Sequence, residues 1–272
     1  MRIAAVQLRS GVDIDANLRA AEALIREAAA DGAAFIATPE MTHLMQRSRR
    51  QLLASISPQE TDTAVQFFAA LAAELGVHLL IGSLAILVAA GRAVNRSFLF
   101  APTGDILASY DKIHLFDAVI SPQEKWQESR TYDRGKKAVS SPVGGGAILG
   151  LSICYDLRFA ALYRHYAAAG AHIIAVPAAF TAPTGKAHWE TLLRARAIET
   201  GSFIIAPAQG GRHEDGRTTY GHSLIIGPWG EVLAQAGHDE PGIVAAQIDL
   251  QQVKKARARI PAWNHNPDYS VS

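Results

Sequence analysis

The chain has 272 residues, 49% hydrophobic and 19% charged, and its 26 Lys+Arg against 25 Asp+Glu leave a net charge of +1. That is enough apolar material for one α/β or all-β unit with a sizeable core, and too weak a field of either sign to draw nucleic acid or an anionic membrane. A single cysteine, Cys154, excludes an internal disulfide and a cysteine-based zinc cluster within one chain. No apolar stretch has the length of a signal peptide, and none approaches the roughly 20 residues that span a bilayer, so the expected location is the cytoplasm. In chain order, Ile3–Leu8 reads as a buried strand and Asp15–Ala30 as a helix stopped at Asp31-Gly32. A strand at Ala33–Thr38, a helix at Thr61–Leu75 stopped by Gly76, and a strand at Val77–Ile81 follow. Ser97–Ala101 and Asp105–Tyr110 flank Pro102-Thr-Gly104 as a hairpin. Strands at Ala147–Ile153, Ile173–Val176 and Phe203–Pro207 alternate with helices at Phe159–Ala169 and Ala187–Glu199. Ser223–Ile226 and Glu231–Ala234 flank the Gly227-Pro-Trp-Gly230 turn, then come a strand at Ile243–Ile248 and a basic helix at Leu250–Ala258. Strand–helix units interleaved with hairpins predict mixed sheets covered by helices, as one unit over residues 1–272.

Four residues stand out against this background. Cys154 ends the apolar run that begins at Ala147, where a strand turns into a helix. Free cysteines are most often inert core residues. At such a turn, however, backbone N–H groups and the positive end of the helix dipole favour the thiolate. Glu40 closes the apolar strand AAFIATPE, a place where a carboxylate needs a partner or a cap to satisfy. Lys112 sits in YDKIHLF between residues that belong inside, though a lysine at a strand end can also snorkel outward. Glu128, in WQESRTYDRG, reads alone as an ordinary loop acid.

Taken together, PEM with Glu40, YDKIHLF with Lys112 and SICYDLRF with Cys154 resemble the Glu-Lys-Cys triad of the nitrilase superfamily of carbon–nitrogen hydrolases. QES at 127–129 matches a fourth position, a second glutamate, Glu128. GKAHWETLLRARAIET (185–200), YGHSLIIGPWGEVLA (220–234) and PAWNHNPDYS (261–270) extend the resemblance over nearly the whole chain. The resemblance implies a four-layer αββα sandwich of two mixed, six-stranded-type sheets that dimerises, acting on a small-molecule amide with no metal and no organic cofactor. It implies amide cleavage through a thioester on Cys154. Glu40 would be the general base. Lys112 and the backbone N–H of Tyr155 would hold the oxyanion, and Glu128 would position the amine or the lysine.

AAFTAPTGKAHWE (178–190) and AQGGRHEDGRTTYGHS (208–223) look like the branch holding ω-amidases and deaminated-glutathione amidases, with the second stretch closer to the latter. That branch implies that Arg158 anchors a substrate carboxylate with help from Phe180 and Thr184. On residues alone, Arg158 reads equally well as an ion-pair partner of Asp156, and Phe180 as plain core. Deaminated glutathione is the expected substrate. 2-Oxoglutaramate, another small amide or N-carbamoyl compound, a nitrile, and a non-catalytic scaffold role are the alternatives. DAVISPQEKW (117–126) departs from the family in length and composition, HEDGR (213–217) reads as an exposed turn, and Gly144-Gly145-Gly146 as a hairpin turn. The expected C2 dimer would use Ala160, Leu162, Tyr163, Tyr166, Leu192, Leu193 and Ala197.

Overall fold

The structure is a computed structural model that describes residues 1–122, 124–265 and 270. Asn266–Tyr269 of the PAWNHNPDYS motif and Gln123 of the 117–126 segment lie outside the described residues. The first half of the chain runs β1 (Arg2–Gln7), α1 (Ile14–Ala30), β2 (Phe35–Ala37), α2 (Arg49–Ser55), α3 (Thr63–Leu75), β3 (His78–Ala89), β4 (Arg92–Phe100) and β5 (Ile106–Asp111). A small hairpin follows, β6 (Asp117–Val119) and β7 (Lys125–Gln127). The second half runs β8 (Ser140–Pro142), β9 (Ile148–Leu151), α4 (Ala160–Ala168), β10 (Ile173–Ala175), α5 (Ala182–Thr200) and β11 (Phe203–Ala206). It continues through β12 (Gly210–Arg212), β13 (Thr218–Tyr220), β14 (Leu224–Ile226), β15 (Val232–Gln235), β16 (Gly242–Gln247) and α6 (Gln251–Arg259).

Two six-stranded sheets result, in the orders β16-β1-β2-β3-β4-β5 and β15-β14-β11-β10-β9-β8. Each has three parallel strands at its centre, β1-β2-β3 and β9-β10-β11, joined by helical crossovers and flanked by antiparallel strands. The alternation of a strand's side chains assembles the layers. Ile3, Ala5, Phe35 and Ala37 join one core cluster with Leu149, Leu151 and Ile173 of the other sheet. Their neighbours Ala4, Val6 and Ile36 join a second cluster with Leu18, Ile25, Phe68 and Leu71 of α1 and α3. On the far side, Tyr163, Trp189 and Leu193 of α4 and α5 cover the second sheet. The order of layers is therefore α–β–β–α, the expected class. The inner faces meet closely at Gly82 of β3. A Cβ there would collide with Pro177 and with the carbonyls of Thr38 and Pro39, so the strand ends of both sheets converge on a residue without one.

Several expectations need correction. β3 runs to Ala89, eight residues beyond the expected end. α5 starts at Ala182 rather than Ala187, because Pro183 sits in its first turn, where a missing N–H costs nothing. The helix after Cys154 is delayed by a 3₁₀ turn, Cys154–Arg158. HEDGR is not an exposed turn throughout. His213 is buried, with its ring nitrogens 2.7 Å from the Ser10 carbonyl and 2.7 Å from Thr219 Oγ1. The residues expected at a dimer interface are mostly core. Leu162, Tyr163, Tyr166, Leu193 and Ala197 are buried against their own sheet.

Candidate functional site

The residues that stood out lie where strands of both sheets end, as ligand sites of open α/β sheets do. Glu40 lies three residues past β2, and Cys154 three residues past β9. Lys112 follows β5 directly, and Glu128 opens the 3₁₀ turn after β7. All four line one cavity of about 1170 Å³. Two of its residues hold a left-handed backbone without being glycine, Met41 at φ 54° and Cys154 at φ 49°. Such strain costs about 1–3 kcal/mol per residue and persists only where surroundings enforce it.

The enforcement is visible. The Met41 N–H donates to Ser83 Oγ (2.9 Å), and Gln209 Nε2 donates to the carbonyls of Glu40 (3.1 Å) and Met41 (3.3 Å). The Cys154 N–H donates to the Pro177 carbonyl (2.9 Å). Asp156, fully buried, fixes the cysteine turn from inside. It accepts the Ile153 N–H (2.9 Å), the Tyr110 hydroxyl (2.7 Å) and the His114 N–H (3.0 Å), and lies 2.7 Å from His114 Nδ1. Asp156 is thus spoken for, and it forms no pair with Arg158.

Around these anchors the polar groups form one closed network. Lys112 Nζ donates to Glu40 Oε1 (2.8 Å) and to Glu128 Oε1 and Oε2 (3.2 and 2.9 Å). Asn95 Nδ2, from β4, donates to Glu40 Oε1 (2.8 Å) and Glu128 Oε1 (3.1 Å). The N–H groups of Ala179 and Phe116 donate to Glu40 Oε2 (3.0 Å) and Glu128 Oε2 (2.7 Å). The Cys154 thiol faces the Glu40 carboxylate and the Ala179 N–H. Burial alone would push Glu40 up, but the Lys112 charge and its hydrogen bonds outweigh it and hold the carboxyl below the usual range. Burial disfavours the Lys112 ammonium, yet Glu128 and Glu40 together keep it charged well beyond the ordinary lysine range. The thiol goes the other way. Burial, and then the Glu40 charge, push it well up, and Lys112 offsets only part of this. The thiolate expected from the turn geometry is therefore not the resting form. The resting set is carboxylate, ammonium and neutral thiol, and such a thiol can surrender its proton to the carboxylate as its sulfur attacks a carbon.

The other expected residues lie just behind the cavity wall. The Arg158 guanidinium lies 5.4 Å from the Phe180 ring and 5.9 Å from the Tyr155 ring, and its Nη1 and Nη2 are each 3.3 Å from His188 Nδ1. Phe180 is buried against Trp189, and the Thr184 hydroxyl pairs with Thr181 Oγ1 (2.8 Å). None of the side chains of Tyr155, Arg158, Phe180 and Thr184 lines the cavity itself, although Tyr155 packs on Phe116 and Thr184 pairs with Thr181, both of which do. The wall carries other arginines, Arg47, Arg49, Arg130 and Arg217, which sequence reasoning missed along with Asn95 and the part Asp156 plays in the cysteine turn. Asn95 left one signal, a polar residue inside the apolar strand AVNRSFLF. Among the described residues, no group of three or more His, Cys, Asp or Glu is placed to share a metal ion, and no helix is long and apolar enough to cross a membrane.

Comparison with known proteins adds the following. The carbon-nitrogen hydrolase family pattern matches residues 2–258. A Synechocystis sp. protein named deaminated glutathione amidase is 41% identical over 96% of this chain and 96% of its own length. The crystal structure of the C. elegans NitFhit protein superposes with a TM-score of 0.89 at 32% identity, over 97% of this chain. This chain spans 64% of the length of NitFhit. Nit3 of Saccharomyces cerevisiae, described as a member of branch 10 of the nitrilase superfamily, gives a TM-score of 0.86 at 28% identity, over 96% of this chain and 94% of that one.

Proposed function

The chain belongs to the carbon–nitrogen hydrolase family, and on that premise we propose that it is a thiol amidase whose substrate is deaminated glutathione. The observation that carries this reading is the Glu40 carboxylate, which accepts from the Lys112 ammonium and faces the Cys154 thiol on the floor of the cavity. Cys154 Sγ attacks the carbonyl carbon of the 2-oxoglutaryl amide while Glu40 accepts the thiol proton. The carbonyl oxygen gains the negative charge, and Lys112 with the backbone N–H of Tyr155 meets it. Glu40 returns the proton to the amide nitrogen, the C–N bond breaks, and cysteinylglycine leaves. Water then attacks the thioester, Glu40 takes its proton and passes it to the sulfur, and 2-oxoglutarate departs. Glu128 holds the Lys112 ammonium on station throughout. The relative from Synechocystis, by its name, supports this substrate.

Release of cysteinylglycine by the purified protein, alongside 2-oxoglutaramate, an N-carbamoyl amino acid and a nitrile, tests the reading. The highest kcat/KM is expected on deaminated glutathione, with Cys154→Ala inactive on every compound. A higher kcat/KM on 2-oxoglutaramate moves the assignment to an ω-amidase, and silence on all four contradicts it. We also propose that two copies pair. The exposed apolar side chains Ile198, Trp229, Val232 and Leu233 support this better than the buried residues first expected to pair. Sedimentation at micromolar concentration decides the point.

A further inference from the structure

We infer that the mouth of the cavity is a carboxylate-binding subsite, built by Arg47 and Arg217 around Trp126, that holds the terminal carboxylate of a peptide leaving group. The inference rests on the amidase reading above and names which part of the substrate this end of the cavity takes.

Three separate segments bring these residues together. Arg47 lies on the loop between Glu40 and α2, Trp126 on β7, and Arg217 on the turn between β12 and β13. Both guanidinium carbons sit 5.2 Å from the centre of the Trp126 ring. The indole itself is held, its Nε1 donating to Glu124 Oε1 (3.0 Å). Arg217 is oriented by Asp215, which takes its Nε (2.7 Å) and Nη2 (2.7 Å) and leaves Nη1 uncommitted among the described residues. Arg47 has no carboxylate partner among the described residues, and neither have Lys125 and Arg130, which line the same cavity.

The charge balance of the wall gives this arrangement a purpose. Glu40 and Glu128 are taken up by Lys112. The one other acid in the wall, Asp117, already accepts the Ser129 N–H (3.1 Å). Arg217 has Asp215, but Arg47, Lys125 and Arg130 add cations to the mouth without matching anions among the described residues, an arrangement that repels itself until an anion arrives. Arginine offers a carboxylate a planar, two-pronged donor face, and an aromatic ring beside it keeps that face in place. Size agrees. At about 1170 Å³ the cavity exceeds the roughly 300–1,000 Å³ of ordinary small-ligand pockets, more room than a five-carbon acyl group needs beside Cys154. A leaving group ending in a free carboxylate fills that room and neutralises the mouth. Ammonia, the leaving group of a primary amide, does neither.

The test compares 2-oxoglutaryl-cysteinylglycine with the same compound capped as its C-terminal carboxamide, on the wild type, Arg47→Ala and Arg47→Lys. Arg47 is exposed, so these variants fold. The wild type is expected to prefer the free acid by about ten- to hundredfold in kcat/KM, mostly through KM, as suits a charged hydrogen bond to a group remote from the reacting carbon. Arg47→Ala should shrink that preference to about threefold or less, and Arg47→Lys should keep part of it. Equal turnover of acid and carboxamide by the wild type overturns the subsite while leaving the amidase reading intact. An unchanged preference in Arg47→Ala overturns the assignment to Arg47. Turnover of neither compound by the wild type overturns the deaminated-glutathione reading, and the subsite with it.

Discussion

The floor and the mouth of the cavity are built on opposite terms. On the floor, Glu40, Lys112 and Cys154 are buried and Glu128 is partly so, and each ionised group is matched by a partner within 3.2 Å. At the mouth, Arg47, Lys125 and Arg130 are exposed and have no carboxylate partner among the described residues. The floor grows from the ends of core strands, whereas the mouth grows from a loop and two short hairpins. The difference separates two tasks. A closed network fixes protonation states in the absence of substrate, at the cost of burying charge. An open set of cations fixes nothing until an anion supplies the missing partner.

If that contrast is right, substitutions on the floor should be the more damaging, and in distinct ways. Cys154→Ala should remove turnover entirely while leaving the melting temperature within a few degrees of wild type, since the side chain carries no ion pair. Product release and a thermal melt check both halves. Lys112→Met should abolish turnover as well, and in addition cost about 3–5 kcal/mol of stability, because Glu40 and Glu128 would face each other without their cation. Denaturant unfolding reads that cost. Asn95→Leu sharpens the comparison, since it removes a neutral donor to both carboxylates and leaves the ions in place. It should cost about 1–3 kcal/mol and lower kcat more than it raises KM.

The legibility of the molecule follows the same division. Buried parallel strands write themselves as apolar runs, and helices that cover sheets write a 3.6-residue period. Their ends, where Glu40 and Cys154 sit, could therefore be read directly from the chain. The hairpins at the mouth have three-residue strands such as Asp117–Val119 and Thr218–Tyr220, too short to show any period. Their arginines carry no spacing that sets them apart from surface charge. The protonation of Cys154 is not legible from its turn alone. The local turn favours a thiolate, but the deciding charge comes from Glu40, which is distant in the chain and brought close only by the meeting of two sheets.

pH sets the smaller contrasts. With Glu40 held low and Lys112 and Cys154 held high, kcat/KM should be flat between the ordinary carboxylate and thiol values, about 4.3 and 8.5. A bell centred inside that window would mean that the floor is not the closed network described. Just outside the floor, burial pushes His43 down to about 4, although Asp62 and the Ala85 carbonyl push it up. Between its ordinary value of 6.5 and about 4, the unfolded chain binds this proton and the folded chain does not. Stability present above pH 6.5 is therefore lost as pH falls toward 4, by about 3 kcal/mol for this group. His43→Leu should show a shallower acid-side slope in unfolding free energy against pH. An identical slope would assign the acid loss to other groups.

The most direct test of the account is to quench a reaction of the wild-type protein with deaminated glutathione in acid within its first turnovers and map the covalent adduct by mass spectrometry of its peptides. A 2-oxoglutaryl group on the peptide holding Cys154, absent from Cys154→Ala, is the predicted result. Product formed at full rate with no acyl group ever found on Cys154, or turnover by Cys154→Ala, would contradict the account.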